Sequence, residues 1–192
     1  RRQRQMCIRD SRTTVVNMTN HSYFNLDGDP SKSNSDYLLT IDADAYTPVD
    51  STFMTTGEIV SVEGTDMDFR TPTAVGARID NDFEQLKNGK GYDHNWVLNT
   101  KGDVTRPCTT LESPSTGIVL DVYTNEPGIQ IYAGNFLDGT LTGKKGIVYG
   151  HRASVCLETQ KYPDTPNKPE WPSALLKPGE KYCLLYTSPA HE

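Results

Sequence analysis

Apolar positions along the chain fall into short runs, and no long segment sustains the 3.6-residue period of an amphipathic helix. Six runs predict strands, at residues 13–19, 37–41, 95–98, 117–124, 129–132 and 153–159. Each is rich in β-branched or aromatic side chains, which pack well on a pleated surface, and clusters of Gly, Pro, Asn and Asp separate them. This spacing predicts an all-β sandwich or barrel. The best helical candidate is residues 73–78, after Pro72, and it is at most a turn or two.

Alternation within the strands sorts the polar residues. In the run Val155 to Gln160, Val155 and Leu157 face one way while Glu158 and Gln160 face the other. Glu158 is therefore aimed away from the core, and its plain reading from this segment alone is a solvent-facing glutamate. Gln130, between Ile129 and Ile131, is likewise turned away from its apolar neighbours. His151 and Arg152, in the loop before the last run, are read as solvent-facing.

Two segments combine the parts of which sugar sites are built, since amides and hydroxyls match sugar hydroxyls and aromatic faces cover C–H patches. The first is Asn20-His21-Ser22-Tyr23-Phe24-Asn25, although an isolated His21 is more often a structural loop residue than a catalyst. The second is Asp93-His94-Asn95-Trp96, which could equally be an Asx turn before a strand. Gly134 and Gly139 lack dinucleotide-binding spacing and are read as part of a structured loop. Asn17-Met18-Thr19 and Asn20-His21-Ser22 match the glycosylation sequon, but so short a pattern is common by chance and a glycan would obstruct this region.

Composition narrows the classes. With 192 residues the chain reads as one domain or a large piece of one, and 19 basic against 25 acidic residues give a net charge of −6. A basic nucleic-acid footprint is therefore not expected. No apolar run reaches the roughly 18–20 residues of a membrane-spanning helix. Cys7, Cys108, Cys156 and Cys183 form no C-x-x-C pair, so neither a zinc site nor a redox motif is expected and the thiols are read as free. Residues 1–11 and 183–192 differ from the middle and resemble translated adapter sequence. They are read as non-native ends of a domain at 12–182, which would leave Cys7, Cys183 and His191 without functional meaning.

Taken together, the segments resemble the aldose 1-epimerase (galactose mutarotase) family. The resemblance is carried by Asn17-Met18-Thr19-Asn20-His21-Ser22-Tyr23-Phe24-Asn25-Leu26, Thr47-Pro48-Val49-Asp50 with Thr56-Gly57-Glu58, and Asp68-Phe69-Arg70. It continues in Gly91-Tyr92-Asp93-His94-Asn95, Gly134-Asn135-Phe136-Leu137-Asp138-Gly139 and Leu157-Glu158-Thr159-Gln160. It runs from about Thr13 to Tyr182 and matches only the C-terminal half or so of the family. It implies a galactose mutarotase-like β-sandwich, truncated on its N-terminal side, whose concave face interconverts the α and β anomers of free hexoses such as galactose and glucose.

By the same resemblance Glu158 is the general base, His21 the general acid, and Asp93 and Gln130 bind substrate. Ring opening needs one proton to leave the C1 hydroxyl while another reaches the ring oxygen, so no metal, nucleotide or redox cofactor is required. Related complete enzymes also carry an arginine and a second histidine in the N-terminal half, for which this chain has no counterpart. The chain alone is thus expected to fold poorly or to bind sugar weakly, because a cut sandwich exposes strand edges.

Two other readings remain open at this point. A non-catalytic carbohydrate-binding β-sandwich would share the fold and the aromatic face but would not need a paired acid and base. A sugar-6-phosphate 1-epimerase would need an Arg or Lys cluster near the motifs, which the sequence does not provide. A small-molecule aldose is the expected partner, with neither nucleic acid nor membrane, and the oligomeric state is left open. Cytoplasmic localisation is the default for a chain without evident disulfides.

Overall fold

The computed structural model describes residues 2–8, 11–187 and 190–191, with side chains described for 11–186. The roles considered for Cys7 and His191 therefore lie outside the described side chains. In chain order the strands are β1 (Arg2–Ile8), β2 (Thr14–Val15), β3 (Tyr23–Phe24), β4 (Leu38–Ile41) and β5 (Ala45–Thr47). They continue with β6 (Val60–Ser61), β7 (Thr73–Ala74), β8 (Asp93–Val97), β9 (Thr109–Glu112) and β10 (Val119–Thr124). The last are β11 (Gly128–Tyr132), β12 (Val155–Gln160), β13 (Leu175–Leu176), β14 (Lys181–Thr187) and β15 (Ala190–His191). Only one α-helix occurs among the described residues, α1 (Glu84–Gly89).

Two antiparallel sheets face each other. One runs β1-β14-β10-β9-β4-β7, with β15 also on β10, and the other runs β3-β12-β11-β8-β5-β6. Their facing sides supply the core: Leu39, Ile41, Leu111, Leu120 and Val122 from the first, Tyr46, Trp96, Ile129, Ile131 and Val155 from the second. An all-β sandwich is thus the architecture. A smaller cluster, Leu176, Tyr182, Leu184 and Tyr186 with Val16 and Met18, packs where β13 pairs with β2.

Several local expectations change. The expected strand at 13–19 shrinks to Thr14–Val15, because the backbone beyond it bonds elsewhere: Val16 N–H donates to Ala174 O and Met18 N–H to the Tyr182 hydroxyl. Of the helical candidate at 73–78, read as at most a turn or two, Val75–Ala77 forms one 3₁₀ turn, while Thr73–Ala74 is strand β7. The helix lies at α1, which is too short to display a period; it buries Gln85 and Leu86 and ends at Lys90 in a left-handed conformation. Asp93-His94-Asn95-Trp96 is not an Asx turn but the body of β8.

Arg152 is not solvent-facing, because its side chain is buried and donates two hydrogen bonds, of 3.0 and 2.8 Å, to Asp80. His151 beside it is exposed. Cys108, Cys156 and Cys183 are free thiols, and the first two are buried.

Candidate active site

The outer face of the second sheet carries the chemistry, because alternation divides its strands cleanly. On β8, His94 and Trp96 enter the core while Asp93 and Asn95 face outward; on β11, Ile129 and Ile131 enter while Gln130 faces outward. On β12, Val155 and Leu157 enter, which sends Cys156 and Glu158 to the other side.

Register then places these residues beside one another. Gln130 lies directly opposite Glu158 on one side and Asn95 on the other, and Asn95 lies opposite Thr47. Gly128 keeps room for this row: a Cβ there would stand 2.5 Å from Asn95 Oδ1 and 2.9 Å from the Tyr162 ring.

Glu158 meets His21 through the pairing of β3 with β12. Tyr23 lies opposite Cys156, so the preceding loop drops His21 over Glu158, with Nε2 3.3 Å from Oε1. The two side chains differ sharply in exposure, 50% for His21 and 9% for Glu158. The carboxylate is thus not solvent-facing as the segment alone suggested. It points away from the core yet is covered, with the His21 ring against it.

Asp93 is tied to the same row, since Gln130 Nε2 donates to its Oδ1 at 2.8 Å. All four residues singled out in the sequence, His21, Asp93, Gln130 and Glu158, are therefore brought onto one face. His94, from the same motif as Asp93, is instead fully buried, and burial pushes its pKa down to about 4, so it stays neutral.

Electrostatics separates Glu158 from an ordinary surface acid. Burial raises its pKa from 4.5 to about 7; His21 pulls it down and the nearby Asp93 pushes it up. Asp93 is raised as well, chiefly by burial, against the lowering effects of the Gln130 hydrogen bond and of His21. A carboxyl poised near neutrality beside an imidazole can pass protons in both directions.

An aromatic wall borders the pair. The His21 ring lies 5.1 Å from Tyr23 and 6.2 Å from Tyr132, and Tyr132 stacks on Phe136 at 6.2 Å. Phe53 extends this wall, with its ring 5.9 Å from Phe136. Between Phe53 and the row of Asp93, Asn95 and Gln130 lies a cavity of about 110 Å³. A larger hollow of about 840 Å³ lies at the far ends of β8 and β12, where Glu126 and Lys161, two of its charged side chains, are paired at 3.0 Å.

Sequence reasoning missed Tyr132, Phe53 and Phe136 as part of this face. Phe136 stood in a segment read as a structured loop and as one motif of the resemblance, with no role given to Phe136; what holds that loop is invisible in sequence, since Asn135 Nδ2 donates to the carbonyl of Tyr92 at 2.9 Å. The amide of Asn17, first residue of one sequon, exchanges two hydrogen bonds with the backbone of Lys161, at 2.9 and 3.0 Å.

The family model for aldose 1-epimerase matches residues 5–185. Galactose mutarotase from Mus musculus is 48% identical over 172 residues, covering 90% of this chain and 48% of that protein. Aldose 1-epimerase from Escherichia coli K12 is 41% identical over 172 residues, covering 88% of this chain and 49% of that protein. Among solved structures, galactose 1-epimerase from Lactobacillus acidophilus superposes with a TM-score of 0.82 at 30% identity, covering 98% of this chain and 52% of that one. An aldose epimerase homologue from C. elegans superposes with a TM-score of 0.84 at 28% identity, over 98% of this chain and 55% of that one. The chain thus spans about half the length of these relatives. With the family model matched over nearly its whole length, the chain belongs to the aldose 1-epimerase family.

Proposed function

We propose that the chain carries the acid/base centre of an aldose 1-epimerase, an isomerase that interconverts the α and β anomers of free hexoses such as galactose and glucose. The observation that carries this reading is the His21–Glu158 pair, 3.3 Å apart on a face that also holds Asp93 and Gln130. A binding module needs hydrogen-bond donors and acceptors but gains nothing from a buried carboxylate raised to about 7 and held against an imidazole.

In this reading Glu158 takes the proton of the C1 hydroxyl while His21 gives one to the ring oxygen, and the bond between C1 and the ring oxygen breaks. Both oxygens are bonded to the same carbon, so base and acid must be close neighbours, and the sugar enters between them. Rotation about C1–C2 in the open aldehyde presents the other carbonyl face. Reclosure returns both protons, leaving Glu158 and His21 as they began. Asp93 and Gln130 accept and donate hydrogen bonds to the sugar hydroxyls, and Tyr23, Tyr132 and Phe136 cover its C–H face. Neither a cofactor nor a nucleic-acid partner enters this scheme. The names of the mouse and E. coli relatives support the same chemistry, and a cytoplasmic location is part of the proposal. Among the described residues no helix is long and apolar enough to cross a membrane.

Polarimetry of freshly dissolved α-D-galactose and α-D-glucose tests the proposal, run at high sugar concentration because weak binding would lower kcat/KM without removing the acid/base pair. Mutarotation faster than buffer supports it. A folded chain that binds sugar without accelerating mutarotation would overturn it in favour of a carbohydrate-binding module.

The pH profile provides a second expected outcome. Glu158 acts as base only when ionised, and its carboxyl is raised to about 7, first by burial and further by the charge of Asp93, with His21 opposing. The rate should therefore fall about tenfold per pH unit as pH drops below 7. A limb centred near the ordinary glutamate value of 4.5 would show that Glu158 is not the titrating base.

A further inference from the structure

The same face holds a third donor that the proton transfers do not use. Cys156 stands two residues before Glu158 on β12 and so shares its outward side, and the pairing of Cys156 with Tyr23 carries His21 over both. One ligand atom from each of His21, Cys156 and Glu158 lies within 4.8 Å of the other two.

The separations suit a small tetrahedral ion. Nitrogen and oxygen ligands about 2.0–2.1 Å from zinc stand about 3.3 Å apart along a tetrahedral edge, and His21 Nε2 and Glu158 Oε1 are already 3.3 Å apart. A sulfur at its zinc distance of about 2.3 Å stands about 3.6 Å from the other two donors, so from separations within 4.8 Å it needs at most about 1.2 Å of closure.

We propose that His21, Cys156 and Glu158 form a three-donor site for Zn²⁺ whose occupation blocks the acid/base pair. The donor set selects the metal: thiolate, imidazole and carboxylate together favour zinc over magnesium or calcium, which take oxygen ligands. Charge balance fits as well, because one thiolate and one carboxylate neutralise a divalent cation while imidazole adds no charge. On binding, the Cys156 thiol gives its proton to solvent and sulfur donates an electron pair to the metal; nothing is oxidised or reduced. Water would complete the tetrahedron at the fourth position. The consequence for catalysis rests on the proposed function, because a metal that holds both Glu158 and His21 leaves neither proton carrier free. Binding itself does not depend on that reading.

The test is titration of the purified chain with Co²⁺, followed by the thiolate-to-cobalt charge-transfer absorption and by displacement with Zn²⁺. The band should saturate at one Co²⁺ per chain, vanish in Cys156→Ser, and persist in Cys108→Ser. His21→Ala should weaken binding at least about tenfold. Near-ultraviolet circular dichroism checks that each variant keeps its packing, and Cys156→Ala provides a second variant should the serine disturb the core. A band that survives in Cys156→Ser, or no saturable band in the folded chain, would overturn the proposal. In polarimetry, Zn²⁺ should slow the wild-type chain reversibly and leave Cys156→Ala at its metal-free rate. A chain without turnover but with the Cys156-dependent band would sink the proposed catalysis and keep the metal site.

Discussion

Glu158→Gln is expected to lower the mutarotation rate by about two to four orders of magnitude, the usual range for loss of a positioned general base. The amide preserves the shape of the side chain and can still accept from His21 through its carbonyl oxygen, but it cannot take a proton from the C1 hydroxyl. Sugar affinity should change far less than kcat, because Asp93 and Gln130 remain in place on β8 and β11.

The fold should tolerate this substitution, and the sign of its effect on stability follows from linkage. Glu158 has a folded pKa raised from 4.5 to about 7, so its favourable contribution is fully present below 4.5 and is lost as pH rises through about 7. Glutamine never ionises and escapes that loss. The variant should therefore melt no lower than the wild type at pH 8. A variant that keeps more than about a tenth of wild-type kcat at pH 7.5 would remove Glu158 from the role of base.

Trp96→Ala is the largest expected effect on stability, about 3–5 kcal/mol. Its side chain is fully buried between the sheets and lies 6.0 Å from the ring of Phe69, 6.3 Å from Tyr92 and 6.4 Å from His94. Its indole N–H donates to the carbonyl of Met67 at 3.0 Å, so truncation opens a cavity and also leaves a buried acceptor unpaired. For a chain of this size each kcal/mol lowers the melting temperature by about 2–4 °C. Urea unfolding followed by circular dichroism would read the change in midpoint, with Trp96→Phe as a milder comparison. A loss below about 1 kcal/mol would show that β8 is not anchored through this residue.

The effect reaches the site because Trp96 sits on the same strand as Asp93 and Asn95, one residue from the latter. Loosening its anchor lets the outward residues of β8 shift against Gln130. The sugar KM should therefore rise even in the fraction of molecules that remains folded.

What the sequence makes legible is the side of the sheet on which a residue stands. Alternation turns Gln130 and Glu158 away from Ile129, Ile131, Val155 and Leu157, and the strands do so. Alternation is silent on what covers that side, which is why Glu158 reads as solvent-facing from its own segment. The strands that flank β12 are β3, far away in the chain, and β11, across a long connection. The contact between His21 and Glu158 is likewise a matter of strand pairing, which a single sequence does not encode locally, and only the family resemblance brought the two together.

Arg152 illustrates the same limit for a loop. Its exposure looked safe by residue type, yet its side chain is buried and its guanidinium donates to Asp80 from a distant turn. The short strands β5, β6 and β13 escaped notice because two or three residues carry too little pattern to stand out, whereas pairing with a longer neighbour is enough to form them.

The row Thr47, Asn95, Gln130 and Glu158 is held in place by the phase of three antiparallel pairings. A side-chain repeat of two makes that phase a parity. Inserting or deleting a single residue within β11 or β12 would turn the polar row inward and push Ile129, Ile131 or Val155 onto the outer face. A two-residue change would restore the facing and displace the row by one pleat. Natural length variation in this family should accordingly be tolerated in the connection between β11 and β12, residues 133–154, and where it enters either strand it should come in even steps.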